Sequence, residues 1–362
     1  MQHLILIPRT LKYVLSNIGF RTVASTSRNV IYNNNSFVKL LRPFRLYVTK
    51  KSYYDNRSQE IKKSYLAMYM FSLFSYFFHD DEEEDKEVSA IIKTIKQSVL
   101  LIQKNEFMKA EQMLHIALHQ AQTIQHYNAI TYIYDIMANL AFDTGDYHAA
   151  ETLFTTVLQR LMSKGILESD LKVIHISLKM AKMFEFKREM KKSEQGYLFC
   201  IGHLYSCLKE DLENIEAEKL LLLSFRWYAE MLTQNLRYTE AYDYYLQSYN
   251  LCKKLYSDDN EKTVVVLNEL GYACYMLEKY DEAMKYFSAA LELGKNIPDL
   301  PELCALHVNL GNTFLKKGLY NEAKKFCLEG RKIAKQNNDN NGLYEADVCL
   351  EEIKKLLYCF KR

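Results

Sequence analysis

Residues 264–290 read VVVLNELGYACYMLEKYDEAMKYFSAA, and they contain the clearest copy of a pattern that recurs along the chain. In the first half a large residue stands beside a small one, and in the second half an aromatic residue stands between two small ones. The positions concerned are Leu270, Gly271, Tyr280, Ala283, Phe287 and Ala290. Small residues let two helices approach closely, while large residues fill the gaps between turns. The stretch therefore predicts two packed antiparallel helices joined by a short turn.

The same pattern is found six times along the chain. The copies begin near Ile91, Thr131, Ile174, Leu222, Val264 and Cys304. Successive starts are 40 to 48 residues apart, whereas the tetratricopeptide unit, which has the same order of large and small positions, spans about 34 residues. Only 4 Pro and 11 Gly are present, so few residues interrupt helices. The sequence predicts an all-α fold, a tetratricopeptide-repeat right-handed superhelical solenoid of about six helix pairs.

The repeats are assigned to residues 91–342, with longer helices or connections than the minimal unit. Residues 206–221 are the largest such extension and are expected to continue a helix. Residues 343–362 are expected to form a C-terminal capping helix, because Leu350, Ile353 and Leu356 fall on one side of it. A helix of this kind covers the otherwise exposed face of the last repeat.

The N-terminal residues have a different composition. Residues 1–54 contain nine Lys or Arg and no Asp or Glu, together with many Ser, Thr and Asn. A basic, hydroxyl-rich segment without acidic residues is typical of a mitochondrial transit peptide. We expect residues 1–47 to be such a peptide, cleaved after Tyr47 or, almost as well, near Lys50. Residues 48–63 would then form a basic linker.

An apolar segment, SYLAMYMFSLFSYFFH, occupies residues 64–79. Sixteen helical residues span about 24 Å, which is short against a hydrocarbon core of about 30 Å. Three interpretations stay open: a short transmembrane anchor, a helix lying in the membrane surface, and a helix docked on the repeats. Membrane association is expected in the first two. The acidic residues that follow, within 80–90, are interpreted as a solvated linker.

The charge balance argues against nucleic acid as a partner. The whole chain has 47 basic and 45 acidic residues. Seven of the basic residues lie in residues 1–47, so the processed chain would have 40 basic against 45 acidic residues and a net charge of −5. Nucleic-acid binding depends on neutralising phosphates with Lys and Arg. The sequence therefore favours a protein partner.

The 8 cysteines form no Cys-x-x-Cys pair of the kind used in zinc sites and redox centres. Nine residues separate Cys349 from Cys359, a spacing found in oxidised helical hairpins between the mitochondrial membranes. Those hairpins need two such pairs, and only one is present. Most of the cysteines stand where a small apolar residue would serve, so reduced thiols are expected. Reduced thiols favour the matrix side for the repeats.

The first helices of a tetratricopeptide solenoid line a concave groove, which suits an extended peptide or a partner helix. The alternative for each candidate is an ordinary solvated helix surface. The residues predicted to face this groove are Tyr132, Asp135, Asn139, Phe142, His175, Lys182, Arg226, Glu230, Asn268, Tyr272, Tyr275 and Asn312. Some relatives of this fold capture chaperone carboxylates with Lys, Asn and Arg. Asp135 stands where the first Lys would be, which disfavours that use.

No enzyme motif is found. The sequence lacks a Gly-rich phosphate loop, a Gly-x-Ser-x-Gly turn and a His-Glu-x-x-His pair. His115 and His119 are one helical turn apart and could share a metal ion with His126, but exposed helix histidines are the simpler interpretation. We therefore expect a non-enzymatic protein without a metal or another cofactor.

Several strings are more specific than the repeat pattern. They are AITYIYDIMANLAF at 129–142, ISLKMA at 176–181 and GYLFCI at 196–201, with the acidic run before the first repeat. With these strings the chain resembles the mitochondrial tetratricopeptide repeat protein 19 family over roughly residues 80–340. The resemblance implies an inner-membrane protein that supports assembly or upkeep of respiratory complex III around its Rieske iron–sulfur subunit. It supplies no catalytic residues.

Two hypotheses follow for the function. The first is a complex III maintenance factor held at the inner membrane. The second is a general mitochondrial import or chaperone adaptor that binds client peptides in the same groove. The side of the membrane is open as well, since Lys62 and Lys63 would lie in the matrix, and the repeats outside it, if residues 64–79 span the bilayer.

Overall fold

The computed structural model describes residues 86–256, 260–297 and 300–359. Within them the chain forms thirteen α-helices and no strand. The predicted transit peptide, the basic linker and the apolar segment 64–79 lie outside the described residues. Of the predicted acidic linker 80–90, residues 80–85 also lie outside them, and residues 86–90 belong to the first helix and not to a linker. None of the described helices is both long enough and apolar enough to cross a membrane.

The helices form six antiparallel hairpins followed by one further helix. The hairpins are α1 (Lys86–Gln103) with α2 (Phe107–Thr123), α3 (Tyr127–Thr144) with α4 (Tyr147–Ser163), α5 (Leu171–Phe186) with α6 (Met190–Glu210), α7 (Ile215–Gln234) with α8 (Tyr238–Leu255), α9 (Glu261–Met276) with α10 (Tyr280–Gly294), and α11 (Leu303–Lys316) with α12 (Tyr320–Gln336). The last helix is α13 (Asn340–Cys359). The predicted all-α repeat fold of six helix pairs and a C-terminal helix is confirmed.

All six hairpins turn in the same way. In each turn, a single residue has a positive φ, between 60° and 85°. The backbone N–H of the residue that follows it donates a hydrogen bond of 2.9 Å to the carbonyl of the residue five positions before the donor. This is the Schellman arrangement, which satisfies carbonyls at a helix end. The six turn residues are Asn105, Gly145, Arg188, Leu236, Glu278 and Gly318. Only two of them are glycine, so the sequence alone does not mark the turns uniformly.

Within each hairpin, small residues hold the two helices close together. A Cβ atom added to Gly271 would lie 2.6 Å from the ring of Phe287, which is itself 1% exposed. A Cβ atom added to Gly196 would lie 2.8 Å from the Cβ atom of Ala181. Such distances leave no room for a methyl group, because protein interiors are close-packed. The small positions of the repeat pattern are therefore set by the approach of the helices.

Two helix boundaries depend on side-chain caps that the repeat pattern does not show. The expectation of continuous helix over 206–221 is wrong, because α6 ends at Glu210 and α7 begins at Ile215. Asn214 accepts a hydrogen bond from the backbone N–H of Ala217 at 2.9 Å and so starts α7. Asp339 accepts from the N–H groups that open α13, which begins at Asn340 and not at residue 343.

The capping helix α13 packs on both helices of the last hairpin. Ala346, Cys349 and Ile353 are buried in this contact. A disulfide bond joins Cys349 to Cys327 of α12, with 6.4 Å between their Cα atoms. The expectation of reduced thiols is therefore wrong for this pair, which the sequence could not reveal because the two residues lie on different helices, 22 positions apart.

Five other cysteines whose side chains the structure describes are free thiols. They are Cys200, Cys207, Cys252, Cys274 and Cys304, and all except Cys207 are buried. Burial raises the pKa of the Cys304 thiol to about 12, which keeps it protonated and unreactive at neutral pH. Because two cysteines are oxidised, reduced thiols no longer support a matrix location for the repeats.

The glycine contacts lead to a matched pair of substitutions. Gly271→Ala should lower the free energy of unfolding by about 1–3 kcal/mol, because the new methyl group overpacks the hairpin against Phe287. Gly202→Ala places the same methyl group on α6, where nothing lies within 4 Å. This change should raise the free energy of unfolding by about 0.5–1 kcal/mol, because alanine favours the helix more than glycine does. Urea denaturation measures both changes. Equal effects of the same sign would contradict the packing argument.

Candidate functional site

The first helices of neighbouring hairpins are joined by polar contacts, which we name the polar ladder. Each contact connects one first helix to the first helix of the next repeat, from α3 through α5, α7 and α9 to α11. The four pairs are Asp135 with Lys179, Lys182 with Glu230, Arg226 with Glu269, and Asn268 with Asn309. The ladder therefore ties five successive repeats together on the face that the sequence assigns to the groove.

The centre of the ladder is a buried cluster around Lys182. Its Nζ atom donates to Glu230 at 2.8 Å and to both oxygens of Glu185, at 3.0 and 3.2 Å. The hydroxyl of Tyr197 on α6 donates to Glu185 at 2.8 Å. Two carboxylates thus share one lysine. The hydrogen bonds supply the partners that buried charges require.

The pKa values of this cluster follow from burial and charge. Burial alone would lower the pKa of Lys182, but the neighbouring carboxylates of Glu185 and Glu230 outweigh it and raise that pKa above its ordinary value. Burial raises the pKa of Glu185, and the charge of Lys182 opposes this rise. Burial also raises the pKa of Tyr197, so its hydroxyl stays a hydrogen-bond donor. Lys182 therefore stays charged at neutral pH.

The neighbouring contacts differ in chemistry. Arg226 holds Glu269 through two parallel hydrogen bonds, from Nε at 3.0 Å and from an Nη atom at 2.8 Å. This fork geometry makes an arginine–carboxylate pair specific in orientation. Nearer the C-terminal end, the amide of Asn309 donates to the Asn268 side-chain oxygen at 2.9 Å.

At the N-terminal end of the ladder, Lys179 lies 3.2 Å from both oxygens of Asp135. Asn139 donates to the main-chain carbonyl of Asp135 at 2.6 Å. Asp135 is 1% exposed. A carboxylate clamp would require a lysine at this place to face a ligand, so the structure agrees with the sequence in giving no support to that use.

The twelve predicted groove residues divide by exposure. Seven are buried, namely Tyr132, Asp135, Asn139, His175, Lys182, Arg226 and Asn268. Five are half-buried, namely Phe142, Glu230, Tyr272, Tyr275 and Asn312. Five of the twelve belong to the ladder, where their polar groups contact the neighbouring repeat. The half-buried residues are thus the ones that a partner could reach.

Other functional residues were not singled out from the sequence. Lys179, Glu269 and Asn309 complete ladder pairs, and their position on the first helices is the only signal that could have found them. Phe186 packs edge-on against Phe142, with ring centroids 5.5 Å apart, and Trp227 lies 5.9 Å from the Nζ atom of Lys182. Both rings are half-buried. They add aromatic area to the same row of first helices.

The metal hypothesis is not supported by the described part of the chain. His126 begins α3, where its Nδ1 atom accepts from the N–H of Ala129 at 3.0 Å. His115 and His119 are exposed on α2. Among residues 86–359, in the ranges described, no group of three or more His, Cys, Asp or Glu could hold a metal ion.

The buried cluster leads to a stability prediction. Lys182→Met should lower the free energy of unfolding by about 3–5 kcal/mol, because it leaves two carboxylates near one another without their cation. Lys109→Met removes a lysine that is 70% exposed and paired with Glu106, and should leave the free energy of unfolding nearly unchanged. Adding Glu185→Gln and Glu230→Gln to Lys182→Met should recover part of the loss. Urea denaturation of the four proteins measures this; a loss as small as that of Lys109→Met would contradict it.

Comparison with solved structures supports the fold. The crystal structure of BtubC (BKLC) from P. vanneervenii covers 65% of this chain and 92% of its own, at 20% identity and a TM-score of 0.54. That of aspartyl phosphate phosphatase F from Bacillus subtilis covers 84% of this chain and 83% of its own, at 15% identity and a TM-score of 0.55. At these identities the likeness concerns the fold alone.

Sequence comparison is more specific. Two family models described as "Tetratricopeptide repeat" match residues 220–296 and 305–337. "Tetratricopeptide repeat protein 19 homolog, mitochondrial" of Drosophila melanogaster is 36% identical over 282 residues, which are 78% of this chain and 76% of the relative. "Tetratricopeptide repeat protein 19, mitochondrial" of Mus musculus is 30% identical over 284 residues, or 76% of this chain and 78% of the relative. The chain therefore belongs to the mitochondrial tetratricopeptide repeat protein 19 family.

Proposed function

We propose that this chain is a non-enzymatic scaffold that supports assembly or maintenance of mitochondrial respiratory complex III, around its Rieske iron–sulfur subunit. Membership of the tetratricopeptide repeat protein 19 family carries this proposal. The repeat fold supports a role in binding proteins, because a row of first helices offers a long surface for a peptide or helix.

The physical basis for binding is a surface that is fixed before a partner arrives. The polar ladder holds successive first helices in place through pairs such as buried Lys182 with half-buried Glu230. Half-buried aromatic side chains, including Trp227, Tyr272 and Tyr275, lie on these same helices. Aromatic residues on a rigid frame contribute most to protein interfaces, since little side-chain freedom is lost on binding.

The second hypothesis, a general import or chaperone adaptor, receives less support. Capture of a chaperone carboxylate needs free lysines and arginines on the first helices. In this chain Lys179, Lys182 and Arg226 are each held by a carboxylate of the protein itself. A partner that presents a bare carboxylate would have to displace those pairs.

We further propose attachment to the inner membrane through residues 64–79, with the repeats on the intermembrane side. The sequence favoured the matrix because its cysteines were expected to be reduced. The buried Cys327–Cys349 disulfide favours a compartment that forms disulfides. Lys62 and Lys63 would then lie in the matrix, as positively charged residues flanking a span usually lie on the inner side.

The first test is native-gel complexome profiling of mildly solubilised mitochondria. The wild-type chain should co-migrate with complex III. The double variant Tyr272→Ala/Tyr275→Ala should lose most of this co-migration, because it removes two half-buried aromatic side chains from α9. The control Tyr344→Ala truncates a tyrosine that is 52% exposed on α13 and should leave co-migration unchanged. Migration of the wild-type chain alone, or with chaperones, would overturn the proposed function.

The second test concerns the side of the membrane. In mitoplasts, whose outer membrane is open, added protease should digest the repeats, and a thiol-reactive mass tag should label Cys327 and Cys349 only after reduction. A C-terminal epitope that stays protected until the inner membrane is dissolved would place the repeats in the matrix and contradict this orientation.

A further inference from the structure

Three of the most exposed large apolar side chains lie on two loops that follow second helices. Leu167 is 71% exposed in the loop between α4 and α5. Leu212, in the loop after α6, is 74% exposed, and Ile215 at the start of α7 is 57% exposed. We name these three residues the edge patch. Single exposed apolar residues are common on proteins, but a group on neighbouring loops is not.

The two loops are neighbours in the structure. The thiol of Cys207, near the end of α6, donates to the main-chain carbonyl of Ser169 at 3.3 Å. Leu171, Leu208 and Ala217, which flank the loops, pack in one core cluster. Both loops also run from a second helix to the next first helix, so they lie at the same edge of the solenoid. The edge patch therefore lies at one edge of the solenoid, on neighbouring loops of two successive repeats.

The helices beside the edge patch are the longest of the repeats. α6 has 21 residues and α7 has 20, whereas the second helices α2 and α4 each have 17. The four additional residues of α6 add about one helical turn before the loop to α7. Asp211 and Asn214 already supply the turn and the helix cap there, accepting from the N–H groups of Glu213 and Ala217. Leu212 and Ile215 are thus not needed to form the loop.

Acidic residues outnumber basic residues around the edge patch. Residues 164–172 and 207–219 together contain seven Asp or Glu and four Lys or Arg. One of the acidic residues, Glu218, is buried and pairs with Lys254. Glu210, Asp211, Glu213 and Glu216 are all exposed, and Glu216 pairs with Lys219. Interfaces commonly have an apolar centre and a polar rim, and complementary charge selects the partner. An apolar centre with an acidic rim fits a partner that is apolar on one face and basic on the other.

We propose that the edge patch is a docking surface for a basic amphipathic segment of a partner protein. It is separate from the row of first helices and does not rest on the proposed role in complex III. The acidic rim argues against two other occupants. It would repel an anionic lipid surface, and it would repel the same patch on a second copy of this chain.

The test uses the purified full chain and a fluorescein-labelled synthetic helix with leucines on one face and lysines on the other. Anisotropy titration gives Kd. Leu212→Ser/Ile215→Ser should raise Kd about tenfold or more, because the apolar centre is lost. Glu210→Gln/Glu213→Gln, which removes two exposed carboxylates, should raise Kd several-fold and weaken its dependence on salt. Met108→Ser, which truncates a side chain that is 73% exposed on α2, should leave Kd unchanged.

Further measurements test whether the peptide binds elsewhere and whether something else occupies the edge patch. Tyr272→Ala/Tyr275→Ala should not change Kd, because it alters the first helices only; if it does, the peptide binds there and the proposal fails. Equal Kd for the edge-patch variants and wild type would also overturn it. Three other results would overturn the proposal by identifying another occupant. They are sedimentation with anionic vesicles that the edge-patch variants lose, dimerisation in analytical ultracentrifugation that these variants lose, and peptide binding that appears only after deletion of residues 64–79.

Discussion

The close crossing of two helices within each hairpin is the constraint from which the rest of the structure follows. Where Gly271 faces Phe287, the helix axes come so near that no methyl group fits between them. This approach buries one face of each helix and leaves other apolar faces open. Those faces are covered only when the next hairpin stacks on them, so the repeat is stable as a series. The positions of the first helices, and hence of any partner surface, are consequences of that stacking.

Features of the fold that depend on residues close in sequence could be predicted. The order of Leu270, Gly271 and Phe287 identifies a hairpin because these residues lie within one repeat and pack against residues of the same repeat. The break between α6 and α7 could not be predicted from apolar spacing, since a single cap at Asn214 decides it. The Cys327–Cys349 bond was missed for a different reason: it depends on how the capping helix packs on the last repeat.

The candidate site, like the fold, could be predicted from the sequence only in part. Asp135, Lys182 and Arg226 lie on first helices. Their burial was not foreseen, because each residue reads as a solvated charge until its partner on the next repeat is known. Those partners lie 43 to 48 residues away, and the distances between repeats vary with loop length. Two pairs of the polar ladder join a lysine to a carboxylate, one joins an arginine to a carboxylate, and one joins two amides.

The Cys327–Cys349 bond makes the two ends of the solenoid unequal. Terminal units of a stacked array open most readily, since each has only one neighbour. No cysteine precedes Cys200 in the sequence, so no disulfide bond holds α1 and α2. At the other end α13 cannot leave α12 without breaking a covalent bond. Unfolding that begins at the N-terminal side can release one hairpin at a time. Unfolding that begins at the C-terminal side must open α13 while the bond still ties it to α12, so the bond makes the N-terminal side the easier one to open.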